Sequence, residues 1–84
     1  MNTEYKHHSD AGHGWVEVPL QTLRALGVTP SHYSYQRADM AYLEEDGDLQ
    51  AFVDAHLLHL GEIPKIVEGT HYEGDAPIRR FARF

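Results

Sequence analysis

The chain contains no cysteine. That excludes disulfide staples, thiolate nucleophiles and every zinc site that needs a sulfur ligand. Basic residues are few: seven Lys and Arg stand against thirteen Asp and Glu, a formal net charge of −6 with histidine neutral. A domain that grips phosphates on its own normally shows a basic face, so direct nucleic-acid binding is not expected. No apolar run approaches the ~20 residues that span a bilayer, and the N-terminus lacks the basic-then-apolar order of a secretory leader. A membrane partner is therefore not expected, and the expected location is cytoplasmic. Length is short as well. Eighty-four residues predict a single domain over 1–84, with a core too small to shelter a deep active site plus a cofactor, and no cofactor is expected. Small cores sit near the margin of stability, which leaves homo-oligomerisation open. What is there, 42% hydrophobic and 24% charged residues, suits a folded domain rather than a disordered one.

The charge is unevenly spread. Residues 43–75 carry nine acids (Glu44, Glu45, Asp46, Asp48, Asp54, Glu62, Glu68, Glu73 and Asp75) against the single base Lys65. The last nine residues reverse this with Arg79, Arg80 and Arg83 and no acid. Such a middle suits a basic partner surface, including one that otherwise binds nucleic acid. It is equally well explained as a solvated face that keeps the protein in solution.

Periodicity predicts the elements. Residues 1–14 are polar and rich in Gly and His, and read as a flexible arm or a loop closing over a sheet. Trp15-Val16-Glu17-Val18 alternates as a strand. Pro19 then opens a short helix over 19–26, with Leu20, Leu23 and Leu26 on one side and Gly27 at the left-handed C-cap position. A hairpin is expected across 32–45, with Tyr35 and Tyr42 as cross-strand neighbours, although no Asn-Gly or Asp-Gly fixes its turn. The second helix, 48–60, has Asp48 as N-cap and Gly61 beyond its end. Its apolar stripe is Leu49, Phe52, Val53, His56, Leu57 and Leu60, with Leu58 nearly opposite. Lys65-Ile66-Val67 and Ile78 to Phe84 complete the strands around a turn at 74–77. The order predicts an α+β domain, two helices on one face of a mostly antiparallel sheet of four to five strands.

Three clusters could carry chemistry. His7, His8, Asp10 and His13 supply metal-ligand atoms, with His8, Asp10 and His13 the better-placed set, because adjacent histidines on an extended chain point in opposite directions. Their spacing matches no zinc motif such as two histidines one helical turn apart. His56, on the apolar stripe, is expected to be a core residue with one hydrogen bond satisfied. His59, His32 and His71 join it only if the strands bring them near, and no serine or lysine stands at triad spacing. The third cluster is Glu44, Glu45, Asp46 and Asp48 beside Tyr33, Tyr35 and Tyr42. It does not fit the twelve-residue calcium loop. Capping and dipole compensation explain Asp48 and part of Asp46 and leave two glutamates on the strand end for a partner. Tyrosines beside them supply the apolar anchors of an interface.

The segments Ser9-Asp10-Ala11-Gly12-His13-Gly14-Trp15-Val16-Glu17-Val18, Tyr33-Ser34-Tyr35-Gln36 and Tyr42-Leu43-Glu44-Glu45-Asp46 resemble a family of small uncharacterised proteins of phages and other bacterial mobile elements. The likeness covers roughly residues 7–55. That family carries no assigned reaction or cofactor, so the resemblance implies a setting rather than a site: short accessory genes that act on host proteins by stoichiometric binding. The expectation is a non-enzymatic protein that binds and modulates a basic host protein in the host cytoplasm, an anti-defence factor such as an anti-CRISPR being one form. Glu44, Glu45 and Asp46 would pair with its Arg and Lys groups, and Tyr33, Tyr35 and Tyr42 would anchor it. Two rivals stand beside it: a His/Asp metal-binding module or metal-dependent hydrolase using His8, Asp10 and His13, and a nucleotide-sequestering protein using Arg79, Arg80 and Arg83.

Overall fold

A computed structural model describes residues 4–84. The elements run β1 (Glu4–Ser9), β2 (Gly14–Pro19), α1 (Leu20–Leu26), β3 (Tyr35–Arg37), β4 (Met40–Glu44), α2 (Gly47–Leu60), β5 (Lys65–His71), a 3-10 turn (Pro77–Arg80) and β6 (Ala82–Arg83). The strands form one sheet in the order β5-β1-β2-β4-β3-β6. All pairs are antiparallel except β1 with β5. The fold is the expected α+β arrangement with six strands rather than four or five.

The largest departure is at the start. Residues 4–9 form β1, a strand between two others, not an arm or loop; residues 1–3 of that expected arm lie outside the described residues. Its alternation is hidden because imidazoles stand where apolar residues would. Tyr5 is buried in the helix-side core with Val16, Val18, Leu23, Leu26, Ala41, Leu43 and Phe52. His8 is buried on the opposite face. There Thr70 N–H donates to His8 Nδ1 at 3.1 Å, so the ring proton sits on Nε2, which faces Glu17 Oε1 at 3.3 Å. The side chain takes a backbone N–H of β5 where the β1–β5 register shifts between His7 and Ser9. Gly69 makes room for this. A Cβ there would lie 2.7 Å from the His7 carbonyl oxygen and 2.8 Å from His8 Nδ1. Gly69→Ala is expected to cost about 1–3 kcal/mol, read as a fall in Tm of roughly 5–15 °C by calorimetry.

The tail also differs from expectation. Residues 78–84 are not one strand: Ile78 belongs to the 3-10 turn, and only Ala82–Arg83 pair, with β3. The segment covers the sheet face opposite the helices. Trp15, Tyr35, Ala76 and Ile78 form a second buried cluster there, flanked by Tyr42, Tyr72 and Phe81.

Both helices end as expected, on left-handed glycines at Gly27 (φ 71°) and Gly61 (φ 78°). The stripe on α2 is shorter than its spacing suggests. Phe52 and His56 are buried, but Leu57 and Leu60 are 50% and 41% exposed, and Leu58 is 78% exposed. The covered face stops at His56, whose Nδ1–H donates to the Glu62 carbonyl at 2.6 Å across the helix end. Among the described residues its buried Nε2 has no hydrogen-bond partner, and the ring meets Tyr5 and Phe52 edge-on. That is the core histidine with one bond satisfied. Among the described residues no helix is long and apolar enough to cross a membrane.

Candidate functional site: a cleft at the end of the sheet

The chain leaves β4 into a dense acidic turn, and the four carboxylates there do different things. Glu44 reaches forward along its own chain: Asp46 N–H donates to its Oε2 at 2.8 Å and Asp48 N–H to its Oε1 at 2.6 Å. It therefore satisfies first-turn donors of α2 that have no partner within the helix. Asp48 is not the N-cap. That position falls to Asp46, which makes no side-chain capping bond. Instead Asp48 Oδ2 accepts Ser31 N–H at 3.0 Å, Ser31 Oγ–H at 2.8 Å and Ser34 Oγ–H at 2.5 Å. Ser34, fully buried, also accepts the Glu44 N–H at 3.0 Å. The turn at 31–34 is thus sewn to the start of α2, and Tyr33 projects from it with 63% of its surface exposed.

Glu45 and Asp46 are left. Glu45 Oε2 lies 3.5 Å from His7 Nε2, while among the described residues no hydrogen bond or ion pair engages the Asp46 carboxylate. Of the acids set aside for a partner by sequence, Glu44 is committed to structure, Glu45 has a half-exposed contact with His7, and Asp46 is unengaged among the described residues.

Further lining of the cleft comes from the C-terminal segment. Arg79 grips Asp10 with two bonds, Nε to Oδ2 at 2.7 Å and Nη2 to Oδ1 at 2.9 Å. The same carboxylate accepts the backbone N–H groups of Ala76, Gly12 and His13. The Arg79 guanidinium first, then the Ala76 N–H, hold the Asp10 carboxyl far below the usual carboxylate range, against the opposing effect of burial; Asp10 in turn raises Arg79. Arg79 also lies 5.5 Å over the Trp15 ring, and Arg83 lies 4.8 Å over Tyr35. Among the described residues Arg83 donates one hydrogen bond, to the His32 carbonyl at 3.0 Å.

These walls enclose a cavity of about 640 Å³, within the range of small-ligand sites. Tyr33, Tyr35, Glu44, Glu45 and Asp46 all line it, with Trp15, His13, Gly14, Arg79 and Arg83. Five of the six residues assigned to partner binding thus meet in one place. Tyr42 does not. It pairs with Tyr35 in register, as expected, but its ring lies 5.1 Å from Phe81 and 6.2 Å from His8, under the tail. Burial and the neighbouring Glu17 raise its phenol.

The metal candidates do not converge. Both carboxylate oxygens of Asp10 are taken up by five donors, His8 is engaged by Thr70 and Glu17, and His13 meets Trp15 edge-on at 6.1 Å. Among the described residues no three His, Asp or Glu side chains are grouped to hold a metal ion. Nor do the histidines of α2 meet those of the strands: His56 is enclosed, and His71 Nδ1 lies 2.9 Å from Ser9 Oγ. No carboxylate is hydrogen-bonded to the far nitrogen of His71 among the described residues, so this pair lacks the third group of a triad. Sequence reasoning placed Arg79 and Arg83 in a separate cationic cluster. Their membership of the cleft had no local signal, because it depends on pairing across 69 positions with Asp10 and on the covering path of the tail.

No protein family, curated protein or solved structure matches the chain.

Proposed function

We propose that the protein is a non-catalytic binding module that docks a basic surface of a partner protein into this cleft. The supporting observation is the convergence of an exposed tyrosine, two buried aromatic rings, the unengaged Asp46 carboxylate and the half-exposed Glu45 carboxylate around one cavity. A cation entering it would meet ring faces and carboxylates together, the pairing that stabilises ammonium and guanidinium groups out of bulk water. In the setting implied by the sequence resemblance, the partner is a host protein in the bacterial cytoplasm whose Arg and Lys groups otherwise hold nucleic acid, and the outcome is inhibition of a defence system.

The test separates binding from folding. Glu45→Lys with Asp46→Lys should shift stability by less than about 1 kcal/mol, because neither side chain supports the fold through a strong bond. A partner captured from bacterial lysate and purified should bind the wild type more weakly as salt rises, and bind the double variant at least about tenfold more weakly. Unchanged affinity for the double variant removes the cleft from the interface.

A further inference from the structure

The cleft is two-signed, and that narrows what it accepts. Asp46, Glu45 and Arg83 all line it. Among the described residues Arg83 has no carboxylate within ion-pair distance, and Asp46 has no cation. The opposite charges share one cavity without meeting across it. Exposed charges that form no ion pair gain little from each other in solvent. Each is instead available to a ligand that brings the complementary charge. Arg83 is the better placed for an anion, since stacking on Tyr35 and the His32 carbonyl hold its plane while most of its five donors stay free. Arg79 presents a second guanidinium edge whose other side is occupied by Asp10.

We infer that the cleft recognises a dipolar group, a cation and a carboxylate on one apolar stem, and that its source is a partner's C-terminal basic residue. The basic side chain lies along Tyr33 toward Asp46 and Glu45. The terminal carboxylate meets Arg83, in the two-pronged geometry that a guanidinium offers a carboxylate. An internal arginine or lysine supplies only the first contact. This inference rests on the proposed docking of a basic partner surface and adds that the docked element is a chain end.

The lone tryptophan makes the test direct, because Trp15 is a wall of the cavity. Its fluorescence would be followed while adding N-acetyl-Gly-Gly-Arg as the free acid, the same peptide as the C-terminal amide, N-acetyl-Gly-Gly-norleucine as the free acid, and free L-arginine. The expected result is that the arginine acid binds at least about tenfold tighter than either the amide or the norleucine acid, a loss typical of removing one charge-assisted pair. Arg83→Gln, with its fold checked by circular dichroism, should erase the difference between acid and amide while keeping that between arginine and norleucine. Asp46→Asn should do the converse. Free L-arginine binding more tightly than the peptide would support the dipolar ligand but reassign its source to a small molecule. Equal binding of acid and amide, still weakened by Asp46→Asn, overturns the chain-end inference and leaves docking of a basic surface standing. No binding of any peptide at millimolar concentration also overturns it, and the salt and charge-reversal measurements on the purified partner then decide the docking itself.

Discussion

Asp10→Asn should lower Tm by on the order of 10 °C or more. Its two oxygens accept five donors at 2.7–3.0 Å. An amide in its place turns one acceptor into a donor, so it faces either the Arg79 guanidinium or backbone N–H groups with the wrong polarity. Unmade bonds to buried donors cost more than the average bond contributes. The effect should also spread. Asp10 lies at the β1–β2 turn and Ala76 and Arg79 in the tail, so loosening this knot frees the segment that covers Trp15 and Tyr35. Thermal unfolding followed at the Trp15 fluorescence and by far-ultraviolet dichroism measures both effects. A Tm within about 3 °C of wild type would show that the knot contributes little.

The same carboxylate predicts a pH dependence. Its folded pKa lies below the unfolded value of about 3.9, so its contribution is full above that pH and is lost as pH falls toward the folded value. Wild type and Asp10→Asn should therefore differ most at neutral pH, and the gap should narrow below about pH 4.

How far the sequence led depends on the range of each interaction. The second helix was legible because Gly61 marks its end and Phe52 and His56 fall on one face, although its N-cap is Asp46 and not the expected Asp48. Leu57 and Leu60 were misplaced because spacing reports which residues share a face, and not where the covering layer ends. β1 was missed for a chemical reason. Its buried positions are Tyr5 and His8, and a pattern scored on apolar residues passes over an imidazole that takes a backbone N–H from β5. The cleft was partly legible. Tyr33, Tyr35, Glu44, Glu45 and Asp46 lie within fourteen positions of one another and on one hairpin, so local reasoning could group them. The arginine wall, and the use of Asp10 as a knot rather than a metal ligand, come from contacts between opposite ends of the chain. No local spacing encodes those. Tyr42 shows the reverse error: it is correctly paired with Tyr35, yet covered by a tail whose path the pairing does not reveal.

Asp48→Ala should destabilise the protein by about 2–3 kcal/mol, some 10–20 °C in Tm, well beyond the ~1 kcal/mol of a lost helix cap. Three donors converge on its Oδ2, from Ser31 and Ser34, and truncation strands the Ser31 N–H and the fully buried Ser34 hydroxyl. The contrast with its neighbours tests the division of labour in the acidic turn. Glu44→Lys removes both bonds that it makes to the first turn of α2 and sets a cation at the positive end of the helix, for a loss of about 1–2 kcal/mol. Glu45→Lys and Asp46→Lys should each stay within about 1 kcal/mol of wild type. Denaturant titrations of the four variants at equal m-values give the order directly. If Asp46 or Glu45 proves as costly as Asp48, those carboxylates hold the fold rather than a ligand, and the cleft loses the free charge on which recognition depends. If Asp48→Ala is mild, the 31–34 turn is held by other contacts. Tyr33 would then keep its place over the cavity without the serine bonds, and Asp48 itself would be a further carboxylate free to meet a cation.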